Sequence, residues 1–251
     1  MRTYCTTGIV LRRTDLGEKD RILTIYTRSI GKVSAVAKGA KRPGSKSAGA
    51  SEPLIYGIYL LSRGRDLDVV TQAEVKESFP NVRGNIKGIA YGIYLLELVN
   101  HFVDDRQPNP DIFDTLLSAT YVLESGADPE IVARYFEIHL LDILGYAPQF
   151  EACLRCGKHF GNAKVAFSPV LGGIVCADCG IAPNDSIWVR GAVASYVRVL
   201  RNIQPNKIKD LNVPPGARRD LASTLKWHIR FRLERELKSV DFLESLRSAE
   251  P

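Results

Sequence analysis

Hydrophobic and polar residues alternate over residues 6–75 in the manner of β-strands. Five apolar segments, separated by charged or glycine-containing turns, follow this pattern: 6–11, 21–27, 32–38, 54–61 and 67–75. Five strands are too few for a seven-stranded sandwich. They predict a five-stranded Greek-key β-barrel of the OB type, and an SH3-like barrel stays open because strand count does not separate the two.

From Gly88 onward the periodicity becomes helical. Apolar residues recur three and four positions apart over 89–103, 112–123, 131–144, 188–203 and 218–246. Asp128 followed by Pro129 predicts the start of the third helix, and Gly145 predicts its end. The pattern therefore predicts an α+β multidomain protein. Residues 1–80 form an OB-fold domain and residues 81–251 an α-helical domain.

Two CxxC pairs interrupt the helical segments, with nineteen residues between them; they are Cys153 with Cys156 and Cys176 with Cys179. Four thiolates in two close pairs can surround one tetrahedral Zn²⁺. Gly157 and Gly180 directly follow the pairs and give the backbone freedom to turn back toward the sulfurs. A disulfide framework and a redox pair are the alternatives, but neither pair opens a helix within a βαβ pattern. The sequence predicts one structural zinc in a ribbon inserted at 151–180.

Other candidate chemistry is sparse. Cys5 stands far from both pairs in an apparent strand and is expected to be a buried core residue. His159 is not expected to be a ligand, because four cysteines complete the set and leave no open position for catalysis. The chain has no GxxxxGK[ST], GxGxxG, HExxH or GxSxG motif. A binding protein is therefore predicted, not an enzyme. The absence of a signal sequence and the reduced thiols predict a cytoplasmic location.

Positive charge is concentrated near the N-terminus. Residues 1–80 hold 14 Lys and Arg against 8 Asp and Glu, whereas residues 81–251 hold 20 of each, so the net charge of +6 comes from the first part. This asymmetry predicts nucleic-acid binding, with a solvated basic face as the alternative. Residues 38–51 are rich in Gly, Ser and Pro and predict a mobile loop between the third and fourth strands. Its cations suit phosphate; they are Lys38, Lys41, Arg42 and Lys46.

A second basic group follows the cysteines. Arg219, Lys226 and Arg230 share one face of the last predicted helix. Another face carries an apolar stripe formed by Leu221, Leu225, Ile229, Leu233 and Leu237. A basic helix beside an apolar groove could receive an acidic peptide with a hydrophobic end. The alternative is a helix that packs into a core and exposes a polar face.

In this order, these features resemble the RecO family of bacterial DNA repair and recombination mediators. The similar segments are GIVLR (8–12), GEKDR (17–21), TRSIGK (27–32), AKGAKRP (37–43), LGYAP (144–148), CLRCG (153–157) and FSPVLGGIVC (167–176). The resemblance covers nearly the whole chain. It implies an N-terminal OB barrel, a helical C-terminal domain and one zinc held by the four cysteines.

The resemblance also implies a function. Family members bind single- and double-stranded DNA, anneal complementary strands and cooperate with RecR to load a RecA-type recombinase onto DNA coated by single-stranded DNA-binding protein. It implies a cytoplasmic, nucleoid-associated protein in bacteria. The family's basic barrel residues correspond here to Arg12, Arg13, Lys32, Lys38, Lys41 and Arg42. Arg198 and Arg201 are candidates for extending the DNA path. Arg219, Lys226 and Arg230 are candidates for binding the acidic C-terminal tail of the single-stranded DNA-binding protein.

Two further classes of function stay open at this point. An accessory factor of transcription or translation also combines an OB barrel with a zinc ribbon, and it would bind RNA or polymerase in preference to DNA. A zinc-dependent nucleic-acid enzyme would require metal-dependent turnover.

Overall fold

The structure, a computed structural model, describes residues 3–161, 163–180 and 186–248. The described residues fall into two compact units, 3–125 with 238–248, and 126–237. The predicted domain boundary at residue 80 lies just after the last barrel strand, and the helices beyond it are divided between both units. This boundary stays a prediction.

The first unit contains a closed five-stranded barrel. Its strands are β1 (Thr3–Leu16), β2 (Asp20–Thr27), β3 (Gly31–Ala37), β4 (Tyr56–Ser62) and β5 (Asp68–Glu77). The strand order is β1-β2-β3-β5-β4, and β4 closes the barrel against β1. The β3–β5 pairing is parallel, with Ala35 beside Asp68. This Greek-key order is that of an OB fold, so the predicted fold class is confirmed and the SH3-like alternative is excluded.

Alternating side chains fill the barrel. Leu23, Val33 and Leu61 are among its fully buried residues, and each is followed in its strand by a more exposed residue. Tyr59 is also fully buried, and its hydroxyl donates to the Ala50 carbonyl (3.1 Å). Gly8 allows β1 to approach β2, because an added Cβ would lie 2.6 Å from Ile25 Cγ2. The barrel is therefore held chiefly by apolar burial.

The prediction that Cys5 is a buried core residue is wrong. Cys5 is exposed on the outer face of β1. Its neighbours Tyr4 and Thr6 point toward the barrel interior, where Tyr4 packs against the core and Thr6 is buried. Because side chains alternate along a strand, Cys5 must face outward.

The connection between β3 and β4 is more ordered than the mobile loop predicted for it. It contains α1 (Lys46–Ala50), whose N-cap Ser45 accepts from the Ser47 N–H. The Gly39 N–H donates to Asp20 Oδ1 (2.7 Å), and the Lys41 N–H donates to the Lys19 carbonyl (3.0 Å). The segment is thereby tied to the β1–β2 hairpin.

The remaining helices are α2 (Pro80–Arg83), α3 (Ile86–Phe102), α4 (Pro110–Glu124), α5 (Pro129–Ile143), α6 (Val193–Asn202), α7 (Pro215–Leu233) and α8 (Lys238–Ser248). Asn85 and Asn109 cap α3 and α4 by accepting backbone N–H groups. Within the first unit, Glu97 of α3 accepts from the Lys238 and Ser239 N–H groups and so holds the start of α8. No helix in the described ranges is long and apolar enough to cross a membrane.

The second unit combines α5, α6 and α7 with a small sheet. Its strands are β6 (Lys164–Ser168), β7 (Gly173–Val175) and β8 (Ile187–Arg190), in the order β7-β6-β8. Trp188 was predicted to be helical, but it lies in β8, where it pairs with Ala166 of β6. The helix predicted over 218–246 is also interrupted, because Glu234 ends α7 in the left-handed conformation (φ 54°) and α8 begins at Lys238.

Candidate metal centre and nucleic-acid interface

Each cysteine pair lies on a tight backbone turn in the second unit. At the first turn the Gly157 N–H donates to the Cys153 carbonyl (2.9 Å), with Gly157 at φ +72°. At the second, Ala177–Cys179 form a 3₁₀ turn, and Gly180 follows at φ +60°. Positive φ is open to glycine at little cost, which explains why glycine follows both pairs.

These turns bring the four sulfur atoms together. The Sγ atoms of Cys153, Cys156, Cys176 and Cys179 all lie within 4.8 Å of one another. Cys156 Sγ and Cys176 Sγ are 3.7 Å apart. A tetrahedron with Zn–S bonds of about 2.3 Å has sulfurs about 3.8 Å apart, so the observed cluster is close to the size that one metal ion needs. The four cysteines predicted as ligands are brought together and could hold a metal ion.

The backbone prepares Cys153 to be a thiolate. Burial raises the pKa of Cys153, but N–H groups of Cys176, Cys156 and Arg155 outweigh it and lower the pKa to about 6. The N–H groups of Arg155 and Cys176 each lie 3.4 Å from Cys153 Sγ. Hydrogen bonds to Cys176 and Cys156 instead raise the pKa of Cys179 to about 12. Four thiolates this close repel one another, so a cation is required to hold all of them deprotonated.

His159 lies outside this cluster. Its Nδ1 is 2.9 Å from the Glu151 carbonyl oxygen. The site therefore has four sulfur donors, the composition of closed structural sites and not of catalytic sites with an open position.

A group of exposed cations lies on the loops at one end of the barrel. The β1–β2 turn carries Lys19, and the segment after β3 carries Lys38 and Arg42. All three side chains are exposed, and none has an ion-pair partner within the described residues. The backbone bond between Lys41 and Lys19 joins the two loops. We call Lys19, Lys38 and Arg42 the loop cations.

Three other predicted DNA-binding residues of the barrel already have protein partners. Lys41 Nζ contacts Asp15 Oδ2 (2.9 Å) and the Gly17 carbonyl (3.3 Å), and Arg13 pairs with Glu52. Lys32 Nζ donates to the Asn100 carbonyl (2.8 Å) and lies 3.4 Å from Asp105, with only 14 % of its side chain exposed. Lys32 thus stabilises the first unit internally, and Lys41 positions the loop.

Arg12 lies apart from the loop cations. It lines a groove of about 640 Å³ with Ile93, Glu97 and Phe242, between β1, α3 and α8. A β-bulge between Val10 and Arg12 shifts the register of β1 at this point. The structure therefore does not unite the six predicted barrel residues in one patch.

Sequence reasoning missed three exposed cations, Lys19, Arg63 and Arg65. Arg63 and Arg65 lie between β4 and β5 and have no ion-pair partner in the described part of the chain. OB folds bind nucleic acid with the face of strands 2 and 3 and with the 1–2 and 4–5 loops. Assigning these loops from the predicted strands would have indicated all three residues.

In the second unit, the predicted DNA-path residues differ from each other. Arg201 makes two hydrogen bonds to the Asp142 carboxylate (2.7 and 3.0 Å) and so joins α6 to α5. Arg198 is 66 % exposed and lies 3.7 Å from Glu151 Oε1, a loose surface pair. Only Arg198 is available to an external anion without breaking a bidentate ion pair.

The three predicted tail-binding residues lie on α7. Arg219 is exposed, Lys226 is half-buried, and Arg230 pairs with Glu236 (2.9 Å). The apolar stripe behind them packs into the second unit, since Leu221, Leu225 and Ile229 are buried. The apolar stripe therefore forms part of the core, which is the alternative in which the helix packs into a core and exposes a polar face.

An OB barrel with unpaired cations on its binding loops, in a chain with a four-cysteine centre among helices, is typical of nucleic-acid-binding proteins. Comparison with known proteins agrees with this assignment to the nucleic-acid-binding proteins. The family profile Recombination protein O N terminal matches residues 1–79, and Recombination protein O C terminal matches residues 83–241. The chain belongs to the RecO family of DNA repair proteins.

Individual relatives are similar along nearly the whole chain. The DNA repair protein RecO of Pelotomaculum thermopropionicum is 36 % identical over 249 residues, covering 99 % of this chain and 96 % of the relative. That of Roseiflexus sp. is 36 % identical over 247 residues, covering 98 % and 87 %. That of Desulforamulus reducens is 32 % identical over 246 residues, covering 98 % and 96 %.

Proposed function

We propose that this protein is a recombination mediator that binds single- and double-stranded DNA and anneals complementary strands. With RecR, it helps to load a RecA-type recombinase onto DNA coated by single-stranded DNA-binding protein. The observation that carries the proposal is the group of exposed, unpaired loop cations, of which Lys19 lies on the 1–2 loop, one of the loops with which OB barrels bind nucleic acid. The other two lie on the β3–β4 connection, which is hydrogen-bonded to that loop. Family membership supports it. Action on chromosomal DNA further implies a cytoplasmic, nucleoid-associated protein.

Annealing on this surface requires no covalent chemistry, so we propose that the protein is not an enzyme. Two single strands repel each other through their phosphates. Lys38, Arg42 and Lys19 would neutralise part of that charge and raise the local concentration of both strands. Because these contacts are to the backbone, binding would not depend on sequence and would weaken as salt increases.

We further propose that the metal is one structural Zn²⁺ per chain. Four sulfur donors at tetrahedral spacing favour zinc over the hard cations, which prefer oxygen. Bound zinc would supply a cross-link between the two turns. Cys153 and Cys176 would anchor it from the buried side, while Cys156 and Cys179 would close it toward solvent.

For the acidic tail of the single-stranded DNA-binding protein, we propose Arg219 as the main contact. Arg219 remains the best placed of the three α7 residues, because it is exposed and has no ion-pair partner among the described side chains. Arg230 would have to exchange Glu236 for a tail carboxylate, and Lys226 is half-buried. Exposed ion pairs are weak enough for such an exchange. Arg198 is the proposed continuation of the DNA path.

The DNA-binding surface is tested by salt dependence. We would measure binding of a labelled oligothymidylate by fluorescence anisotropy from about 50 to 200 mM salt for wild type and Lys38→Ala/Arg42→Ala. Each lost phosphate contact on a single strand reduces the slope of log K against log salt by about 0.7. The double variant is therefore expected to lose about 1.4 from that slope.

The control is Lys76→Ala/Lys209→Ala, which removes the same charge from two exposed positions, one on β5 and one in the second unit, and leaves the loop cations intact. Its slope should remain that of wild type. Equal losses in both variants would mean that overall charge, and not the barrel loops, governs binding. Salt-insensitive or absent DNA binding by wild type would reject the proposal in favour of an RNA or polymerase accessory factor.

A further inference from the structure

A basic and aromatic pocket lies at the end of α7, within the second unit. Its volume is about 600 Å³, within the usual range of ligand pockets. Three aromatic side chains line it, Tyr146, Trp227 and Phe231. Three arginines, Arg230, Arg232 and Arg235, face two glutamates, Glu234 and Glu236, so the lining has a net positive charge.

Arg232 is the central cation of this pocket. Its guanidinium lies over two rings, 5.4 Å from the centroid of Tyr146 and 5.7 Å from that of Phe231. Its Nε is buried and has no hydrogen-bond acceptor within the described residues. The half-buried guanidinium as a whole has no ion-pair partner among the described residues, so its positive charge is uncompensated and an anion that reaches its exposed nitrogens would be favourable.

The aromatic rings provide flat apolar surface beside that cation. Tyr146 and Phe231 are each 41 % exposed, which is unusual for large apolar rings beside one another. The turn between β6 and β7 lies next to the pocket, because a Cβ on Gly172 would be 3.4 Å from Arg232 Nη2. This turn exposes Val170 and Leu171 and continues the apolar surface.

We propose that this pocket is a second binding site for single-stranded DNA, in which a base stacks on the aromatic rings and its phosphate binds Arg232. Stacking on aromatic side chains together with arginine contacts to phosphate is how unpaired strands are generally bound. The inference rests on the proposed function. It adds that one chain holds two strands, one on the barrel and one in the second unit.

A nucleotide fits the lining better than a carboxylate peptide does. An acidic peptide would use the arginines but would bring its carboxylates near Glu234 and Glu236. A nucleotide places a single phosphate at Arg232 and an uncharged base against the rings. Arg230 is already paired with Glu236 (2.9 Å), so the free positive charge of the site is centred on Arg232.

Trp227 gives a direct probe of the pocket. The chain has two tryptophans, and the other, Trp188, is half exposed in β8. In a Trp188→Phe protein all tryptophan fluorescence comes from Trp227. We would titrate this protein with oligothymidylate and expect saturable quenching. Adding Arg232→Ala should weaken the affinity detected by quenching about tenfold.

Two comparisons separate this site from the barrel. Lys209→Ala removes an exposed cation of the same unit outside the pocket and should leave quenching unchanged. Lys38→Ala/Arg42→Ala should weaken anisotropy-detected binding but leave the Trp227 signal intact. If Arg232→Ala does not fold, Phe231→Ala replaces it, since this exposed ring can be removed without opening a core cavity.

Each outcome has a distinct meaning. DNA binding by anisotropy without Trp227 quenching would overturn the second site and leave the proposed function standing. No DNA binding by either method would reject the proposed function itself. Quenching by an acidic peptide with an apolar end, and not by oligothymidylate, would overturn the nucleotide assignment and make the pocket a protein-docking site.

Discussion

The barrel and the cysteine ribbon are stabilised in different ways. The barrel encloses a continuous cluster of fully buried side chains, among them Ile25, Leu61 and Tyr59. The ribbon has strands of three to five residues, and the apolar cluster at its cysteines consists of Val175 with Cys153 and Cys176, against which Phe160 packs. The barrel can be stable through apolar burial, whereas we expect the cysteine turns of the ribbon to depend on the metal ion that the four cysteines could hold.

This difference indicates which substitutions each region can be expected to tolerate. A surface change on the barrel leaves its core intact, so its loops are free to carry unpaired cations. In the ribbon, the residues nearest to the candidate metal are also a large part of the local core. Function and stability are therefore separable in the first region and coupled in the second.

The largest expected effect is loss of the metal. Cys153→Ala should reduce bound metal from one per chain to none and remove hydrogen-exchange protection from the two cysteine turns, residues 153–157 and 176–180. Structural zinc binding amounts to about 10–16 kcal/mol in small zinc peptides, far more than this small apolar cluster supplies. Protection in the barrel strands should remain. Metal analysis and exchange mass spectrometry measure both quantities.

Cys5→Ala is the control, since Cys5 is exposed on the barrel. It should change neither metal content nor exchange. If Cys153→Ala retained a protected ribbon without metal, the ribbon would be stabilised by apolar burial like the barrel, and the contrast between the two regions would fail.

A smaller effect is expected in the barrel core. Ile25→Ala should lower the free energy of unfolding by about 2–5 kcal/mol, because it leaves a cavity where a buried side chain was. Val75→Ala, at an exposed position of β5, should lower it by less than about 0.5 kcal/mol. Urea unfolding followed by far-ultraviolet circular dichroism measures both. Equal losses would contradict a core held by burial.

Acid should destabilise the second unit by an amount that depends on His228. Burial lowers the pKa of His228 below its ordinary value of 6.5, although its contact with the Tyr146 carbonyl partly opposes this. Below pH 6.5 the unfolded chain therefore binds a proton that the folded chain does not. Stability is present above this pH and is lost as pH falls, by up to about 1.4 kcal/mol per pH unit.

His228→Gln removes this titration. Its unfolding free energy should fall less steeply than that of wild type between about pH 7.5 and about pH 5.5, on either side of the ordinary histidine pKa. His139, whose pKa is also lowered by burial, contributes equally to both proteins. Identical slopes in the two proteins would show that His228 protonates alike in the folded and unfolded chains.

The smallest expected effect concerns Arg201. Arg201→Ala should cost about 0.5–1 kcal/mol of stability, because the Asp142 pair is partly exposed, and it should leave DNA affinity nearly unchanged. Arg198→Ala should show the reverse, with little loss of stability and weaker DNA binding. Weaker DNA binding by Arg201→Ala at unchanged stability would return Arg201 to the DNA path.

The sequence predicted the barrel and the cysteine cluster because local patterns determine both. Strand alternation set the five barrel strands, and the CxxC spacing with a following glycine set the two turns. Trp188 was wrongly assigned to a helix because a short apolar segment fits the helical and the strand periodicity equally well. In the structure its segment forms a strand by pairing with the edge of β6. Cys5 was predicted to be buried because free cysteines often are. The alternation of side chains along β1 was not considered for this residue, and it places Cys5 on the outer face.

The sequence could not predict which Lys and Arg side chains remain free of protein partners and so can bind DNA. Lys32 and Arg201 are indistinguishable in sequence from Lys38 and Arg198. Asp142 lies far along the chain from its partner Arg201, and tertiary packing brings them together. A cation's role as a DNA contact depends on whether folding supplies a carboxylate or carbonyl, which is a long-range property.

Strand annealing is the proposed activity itself and can be measured directly. We would follow annealing of complementary oligonucleotides, bare and coated with single-stranded DNA-binding protein, for wild type, Lys38→Ala/Arg42→Ala and Lys76→Ala/Lys209→Ala. We expect rapid, salt-sensitive annealing by wild type and the control, and strongly reduced annealing by the folded Lys38→Ala/Arg42→Ala variant. Wild-type annealing no faster than the uncatalysed reaction, or undiminished annealing by that variant, would contradict the proposal.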